Sequence, residues 1–231
     1  MMIQIQQLRK VYAEKTVIQI EKLQINAGET IGVIGNNGAG KTTLFRMILD
    51  LIRPDQGQVL LKGKSVAEDQ EWKNYTASYL DEGFLIGYLS PEEYFDFIAG
   101  LQGMSTHQLA DSLQQYTEIF NGEILDTGKF IRDFSKGNQN KIGICSALMQ
   151  RPELLILDEP FANLDPSTQI RLKTHLKSLN ASGLTLLISS HDLNHVTDVC
   201  DRIILFEKGK IIRDLQKDEH TLKELETYFA L

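Results

Sequence analysis

The residues best suited to chemistry in this sequence form one short run, which is Gly35, Asn36, Asn37, Gly38, Ala39, Gly40, Lys41, Thr42 and Thr43. The run fits the pattern G-x-x-x-x-G-K-[ST], whose glycines let the backbone curl so that successive N–H groups point at one anion. The Lys41 ammonium can reach the terminal phosphates of a nucleotide, and the Thr42 hydroxyl can ligate Mg²⁺. A plain glycine-rich turn needs neither residue, so the run predicts a nucleotide-phosphate site.

A strand and a helix are predicted on either side of this loop. Residues 30–34 form a short apolar run typical of a buried strand, and from residue 44 to 52 apolar residues recur every three or four positions, as in a helix. We expect the helix to begin at Lys41, where its positive dipole end would add to the anion pocket. This strand–loop–helix context is the one that the motif requires.

Three further candidates follow predicted strands. Residues 154–157 are continuously apolar, and residues 184–188 are apolar except for Thr185, which indicates two buried strands. Asp158 and Glu159 follow the first strand and His191 the second, at the strand ends where parallel sheets bind ligands. Asp158 can hold Mg²⁺, and Glu159 can orient and deprotonate a water. Two helix-capping carboxylates are the alternative, but the phosphate loop in the same chain favours catalysis.

The composition indicates a globular protein without a basic face. The 231 residues carry a net charge of −7, which argues against a general nucleic-acid binder. We expect no signal peptide, and no apolar run approaches the ~18–20 residues that span a bilayer. Cys145 and Cys200 are predicted to be core thiols in a reducing cytosol rather than part of a disulfide framework.

Alternating strand and helix patterns predict a parallel sheet with helices on both faces. Near the N-terminus, residues 2–11 and 16–25 have the pattern of strands. Residues 66–74 are predicted to be helical, and residues 105–120 and 135–150 have helical spacing within a helical insertion.

Over nearly its whole length the chain resembles the nucleotide-binding subunit of an ATP-binding cassette (ABC) transporter. The resemblance depends on segments in a fixed order, namely residues 35–43, 134–139, 154–160, 163–165 and His191. Residues 134–139, Phe-Ser-Lys-Gly-Asn-Gln, precede the Asp-Glu-Pro run by about twenty residues and distinguish this family from other nucleotide-binding families. We call residues 134–139 the signature segment.

The resemblance implies a single cassette domain over residues 1–231. Its fold would be that of an α/β P-loop NTPase with a RecA-like core and an N-terminal antiparallel β subdomain. A helical subdomain would occupy about residues 84–150.

The resemblance also implies roles for individual residues. Tyr12 would stack on adenine, although an aromatic at a strand end is also common on a plain surface. Ser135 and Gly137 would contact the γ-phosphate of ATP held by a partner cassette, and a helix N-terminus there suits an anion. Asp165 would lie in the loop that crosses the dimer interface. His191 would contact the γ-phosphate and help hold the attacking water.

Two positions depart from the family pattern. The signature segment has Lys136 where the family commonly has a glycine, and this Ser-Lys-Gly form resembles a subset of bacterial exporters. The family's Mg²⁺-sensing glutamine corresponds to Glu82, or alternatively to Asp81, so a carboxylate would add negative charge beside the metal.

The predicted function is ATP binding and hydrolysis with Mg²⁺, coupled to transport. ATP would close two cassettes into a homodimer or heterodimer and drive a separate transmembrane permease, in the direction of export. The protein would be cytoplasmic and held peripherally on the inner membrane face by that permease. The alternative from another class is a soluble ABC-type ATPase that acts as a mechanical switch without a membrane partner. A cassette that binds ATP without hydrolysing it is a third possibility, which Glu82 and Lys136 keep open.

Overall fold

The computed structural model describes residues 1–229 of the chain. In chain order the strands are β1 (Ile3–Tyr12), β2 (Lys15–Ile25), β3 (Thr30–Ile34), β4 (Gln56–Leu61), β5 (Lys64–Ser65), β6 (Thr76–Tyr79), β7 (Leu154–Asp158), β8 (Thr185–Ser190), β9 (Arg202–Glu207) and β10 (Lys210–Gln216). The α-helices are α1 (Lys41–Ile48), α2 (Pro91–Leu101), α3 (Thr106–Gln115), α4 (Thr117–Phe120), α5 (Lys136–Leu148), α6 (Pro166–Ala181), α7 (Leu193–Val199) and α8 (Thr221–Phe229). Three short 3₁₀ turns span Glu71–Asn74, Glu82–Phe84 and Ile131–Asp133.

The strands form two sheets. An antiparallel sheet has the order β2-β1-β4-β5. The second sheet has the order β10-β9-β3-β8-β7-β6, and its neighbours are parallel except for the β10–β9 pair. The predicted α/β fold with an N-terminal antiparallel part is confirmed.

The parallel strands lie between two apolar layers. Every residue of β3, β7 and β8 is buried, as their largely apolar sequences predict. Because side chains alternate along a strand, β7 contributes to both layers. Leu155 and Leu157 pack in a cluster with the helices α2 to α7, whereas Leu154 and Ile156 pack with α1 and the antiparallel sheet. The sheet thus fixes its strand ends firmly, and those ends carry the candidate site.

The helical insertion begins at a capping box. Ser90 accepts from the backbone N–H of Glu93, whose carboxylate accepts from the backbone N–H of Ser90. A second box joins Ser105 and Gln108 at the start of α3. None of the helices within residues 1–229 combines the length and apolar character needed to cross a membrane.

Three predicted helices differ in the structure. The helix predicted from residue 44 to 52 ends at Ile48, and Asp50 beyond it has φ 51°, in the left-handed region. Residues 66–74 contain only the 3₁₀ turn at their end, because the Asp69 carboxylate accepts from the backbone N–H of Glu71 and so offers the chain a turn in place of a helix. The predicted helix over residues 105–120 is broken at Tyr116, whose backbone leaves the helical region while its buried ring packs on Phe120.

Candidate functional site

The loop between β3 and α1 has the conformation that its glycines allow. Gly40 has φ 109°, in the left-handed region, and a Cβ there would lie 3.0 Å from the Val17 carbonyl oxygen. Lys41 then begins α1 directly, as predicted. Its ammonium is buried and donates to the Gly35 carbonyl oxygen at 2.7 Å. The lysine is thereby folded back over the loop, beside the space that a phosphate would fill.

A cavity of about 240 Å³ lies over this loop. Its lining consists of Val17, residues 37–43, Asp158 and Glu159. The fold therefore brings together the loop and the two carboxylates that the sequence separates by more than a hundred residues. Val17 is an addition that no motif indicated.

Asp158 is fixed by two hydroxyl groups at the end of β7. Thr42 Oγ1 and Ser189 Oγ each donate to one of its carboxylate oxygens. Burial raises the pKa of Asp158, and the two hydrogen bonds oppose that rise only in part.

The Thr42–Asp158 pair fits a magnesium ion. A hydroxyl and a buried carboxylate are hard oxygen donors, which Mg²⁺ prefers. Within residues 1–229, no three His, Cys, Asp or Glu side chains converge in a way that could hold a metal. In proteins Mg²⁺ is commonly held by one or two carboxylates together with waters and substrate phosphates.

Glu159 lies between two nitrogen groups. Its Oε1 is 3.5 Å from Lys41 Nζ, and its Oε2 is 2.8 Å from His191 Nδ1. The backbone of Glu159 has φ 49° and is held there because its N–H donates to Ser189 Oγ at 3.0 Å. The carboxylate of Glu159 is therefore positioned at the cavity edge by its own backbone and by both nitrogen groups.

This arrangement has known counterparts. The sequence profile described as ABC transporter matches residues 18–162. YhaQ of Bacillus subtilis, an uncharacterised ABC transporter ATP-binding protein, is 36% identical over 210 residues, which are 90% of this chain and 69% of that protein. The chain belongs to the ABC transporter family.

Solved cassette structures share the fold of this chain. A structure of the ATP-binding subunit of an ABC transporter has a TM-score of 0.88 and 26% identity, with 100% of each chain covered. A dimeric bacterial ABC transporter cassette has a TM-score of 0.83 and 23% identity, covering 93% of this chain and 98% of that one. The present chain spans about two thirds of the length of the curated relatives that it matches. It is an ATP-binding subunit of this family and an ATPase.

The signature segment of this cassette lies apart from the phosphate cavity. Ser135 caps α5 by accepting from the Asn138 N–H at 3.3 Å. A Cβ on Gly137 would lie only 2.2 Å from the Asn163 carbonyl oxygen, so this position requires glycine. Asp165 caps α6 and accepts from the Ser167 hydroxyl, the Thr168 hydroxyl and the Thr168 backbone N–H, which together hold its pKa well below the usual range. Neither cap lines the cavity of its own chain.

Tyr12 and Glu82 also lie outside the lining of the cavity. Tyr12 is the last residue of β1, with its side chain 47% exposed and Lys10 Nζ 5.3 Å from the ring centroid. Glu82, the third metal-ligand candidate, accepts a hydrogen bond from Lys136 at 2.7 Å. The cysteines of the cassette are free and buried.

Two polar residues that support the site, Ser189 and Asn140, were not predicted from the sequence. Ser189 orients both Asp158 and Glu159, and its place at a strand end beside His191 was the available signal. Asn140 on α5 accepts from the Tyr79 hydroxyl at 2.8 Å and donates to the Ala162 carbonyl at 2.8 Å. Because α5 is otherwise apolar on that face, a buried asparagine is a recognisable mark of such a bond.

Proposed function

We propose that two copies of this cassette close face to face on ATP and that hydrolysis reopens them, driving a separate transmembrane subunit. Each ATP would lie between the phosphate loop of one copy and the signature segment of the other. A homodimer is the simplest such arrangement, and the dimeric bacterial cassette of the same fold is consistent with it.

The observation that carries this proposal concerns two helix N-termini. Both α1 and α5 begin with backbone N–H groups suited to an anion. Only the start of α1 lines the phosphate cavity, whereas Ser135 and Gly137 at the start of α5 lie outside it. A second copy would bring the missing N-terminus to the open side of the cavity.

The proposed chemistry is phosphoryl transfer to water, which needs positioning and charge neutralisation more than covalent catalysis. Lys41 would exchange its contact with the Gly35 carbonyl for the γ-phosphate. Glu159 would accept a proton from the attacking water, and His191 would hold that water and the phosphate in place. Mg²⁺, held by Thr42 and Asp158, would neutralise charge that develops on the β- and γ-phosphates.

A membrane partner is supported by an exposed apolar surface near the end of β6. Leu51 and Phe84 have large apolar side chains that are exposed, and both line one groove there. A groove of about 210 Å³ lies between Leu51, Trp72 and Phe84. Exposed apolar side chains grouped around a groove are a feature of interaction sites.

Export is the direction that we propose, on the basis of the Ser-Lys-Gly form of the signature segment. The cassette would then sit on the inner face of the cell membrane through its permease. Co-purification with a transmembrane subunit would support this membrane location. A cassette that purifies without any membrane subunit would favour the mechanical-switch alternative.

The shared site can be tested with two inactive variants. Lys41→Ala damages the phosphate loop, and Ser135→Arg places a bulky cation in the signature segment. If the segment acts on the nucleotide of the other copy, a mixed dimer has one site with both lesions and one with neither. ATP-dependent dimers, measured by light scattering, should then partly return on mixing.

The control is subunit exchange between differently labelled copies, which shows that mixed dimers can form. If exchange occurs and mixing yields no more dimer than either variant alone, the two motifs act within one chain and the shared site is wrong.

A further inference from the structure

The two residues that depart from the family pattern contact each other. Lys136 Nζ donates to Glu82 Oε1 at 2.7 Å, although 54 positions separate the two residues in the sequence. Glu82 begins the 3₁₀ turn that follows β6, and Lys136 is the first residue of α5. The two residues that differ from the family pattern at separate places in the sequence thus form one ion pair in the structure.

The start of α5 explains why Lys136 needs a partner. A cation in the first turn of a helix is opposed by the positive end of the helix dipole. The first turn of α5 contains no acidic residue of its own, so Glu82 supplies the anion from another element. Lys136 in turn holds the pKa of the Glu82 carboxyl below its usual range, chiefly through this hydrogen bond.

The surrounding packing already places the two residues together. The Tyr79 hydroxyl at the end of β6 donates to Asn140 on α5 at 2.8 Å. A Cβ on Gly143 would lie 2.0 Å from the Tyr79 ring, so α5 packs directly on that ring. This packing fixes β6 against the middle of α5, so the pair has only its two side chains and the first turn of α5 to order.

The end of β6 also contacts the phosphate-loop helix. Arg46 on α1 donates to Asp81 at 3.1 Å, and Asp81 directly precedes Glu82. Two adjacent carboxylates therefore connect the end of one strand to α1 on one side and to α5 on the other. These are the two helices whose N-termini suit anions.

We propose that Lys136 is a positioning residue that acts through Glu82. The ion pair fixes the first turn of α5 to the end of β6, and so holds Ser135 and Gly137 in place for the nucleotide of a second copy. The second half of this statement depends on the proposed function. Glu82 and Lys136 thus form one unit, and replacing either residue alone leaves the other without its counter-charge.

The first test uses the free chain and needs no nucleotide. Glu82→Gln, Lys136→Gln and the double variant each keep side-chain size and remove charge. Amide hydrogen exchange is measured over residues 138–141, within the first turns of α5. Each single variant should speed exchange about two- to fivefold, which corresponds to the free energy that an exposed ion pair contributes. The double variant should exchange no faster than a single variant, because both residues act through one contact. The proposed ion pair would be contradicted if the exchange rates stay unchanged. It would also be contradicted if the rate increase in the double variant equals the product of the increases in the single variants.

The second test measures ATP-dependent dimers in a Glu159→Gln background, which slows hydrolysis. Each single variant should raise the ATP concentration for half-maximal dimer about two- to fivefold, with no further rise in the double variant. At 1 M salt the screening length is about 3 Å, so each variant should differ less from the Glu159→Gln chain in the ATP concentration for half-maximal dimer.

The outcomes separate this proposal from the shared site. If the effects of the two single variants multiply in the double variant, Lys136 acts independently of Glu82, as it would in a direct contact with the phosphate held by the partner. That result would overturn the positioning role. If the Glu159→Gln chain with Glu82 and Lys136 unchanged never dimerises on ATP, the proposed function is contradicted. Hydrogen exchange in the free chain would still decide whether the Glu82–Lys136 pair forms. Lys62 and Glu153 form a matched control pair, also at 2.7 Å and exposed, and their glutamine variants should leave both readouts unchanged.

Discussion

His191 contacts Glu159 through two atoms. Its ring Nδ1 lies 2.8 Å from Glu159 Oε2, and its backbone N–H donates to the same oxygen at 3.3 Å. The other carboxylate oxygen lies 3.5 Å from Lys41 Nζ. In the free chain the proposed base is therefore bound by both groups that would contact a γ-phosphate, and an incoming phosphate must compete with it for Lys41.

Glu159→Gln should separate binding from turnover. The amide cannot accept the proton of the attacking water, so turnover should fall by the roughly 10²–10⁴-fold typical of a lost general base. ATP affinity should be equal or higher, because the competing charge beside Lys41 is gone. Calorimetry and phosphate release measure the two quantities, with exposed Glu153→Gln as the control. Full turnover in Glu159→Gln would assign the base to another residue.

Lys41→Ala should weaken ATP binding. It removes a charge-assisted hydrogen bond to phosphate worth about 1.5–3 kcal/mol, so affinity should fall about 10- to 100-fold. Calorimetric titration of ATP measures this directly. Lys22→Ala, at an exposed position of β2, is the control for a general loss of positive charge. Equal affinity in Lys41→Ala and the parent chain would contradict the phosphate-loop assignment.

Asp158→Asn should stabilise the free chain and weaken its response to nucleotide. Because burial raises the pKa of Asp158 above its ordinary value of 3.8, folding with an ionised carboxylate costs stability at neutral pH. That cost is relieved as pH falls through the raised pKa, so the gain from asparagine should shrink in acid. At neutral pH we expect Tm to rise by about 2–4 °C, the shift that about 1 kcal/mol gives in a chain of this size.

Thermal unfolding with and without Mg²⁺ and ATP checks both parts of this prediction. The rise in Tm that Mg²⁺ and ATP produce in the parent chain should be smaller in Asp158→Asn. A variant that is less stable at neutral pH and keeps the full nucleotide response would contradict the role of Asp158.

His175→Phe should make the fold less sensitive to acid. Burial lowers the pKa of His175, whose ordinary value is 6.5, and the ring packs edge-on against Tyr116. The unfolded chain therefore binds a proton more readily, and stability falls as pH drops below about 6.5 toward the lowered pKa. Urea unfolding at pH 7 and pH 5 should show a smaller loss in His175→Phe. Exposed His107→Gln should behave as the parent does, and an equal loss in His175→Phe would place the acid-sensitive group elsewhere.

The elements around the phosphate cavity could be predicted from the sequence because their signals are local. The loop motif, the apolar run of β7 and the start of α1 each depend on neighbouring residues. A parallel sheet then requires that strand ends meet at one edge, and this brings Asp158 and Glu159 to the loop. The roles of individual residues in binding and catalysis stay predictions until the variants are measured.

The remaining features depend on residues that are distant in sequence. No local pattern connects Glu82 with Lys136, or Tyr79 with Asn140, because their contacts exist only once α5 rests on β6. The break at Tyr116 likewise follows from packing of its ring in the core. Tertiary packing overrides the helical spacing there, as it commonly does.

The place of β3 in its sheet has a consequence for synthesis. Both neighbours of β3 come late in the chain, since β8 begins at Thr185 and β9 at Arg202. The phosphate loop thus leaves the ribosome long before the strands that hold β3 exist. Contacts between such distant segments also make folding slow. A nucleotide that binds only the finished fold stabilises that fold and does not stabilise a nascent chain that still lacks those strands.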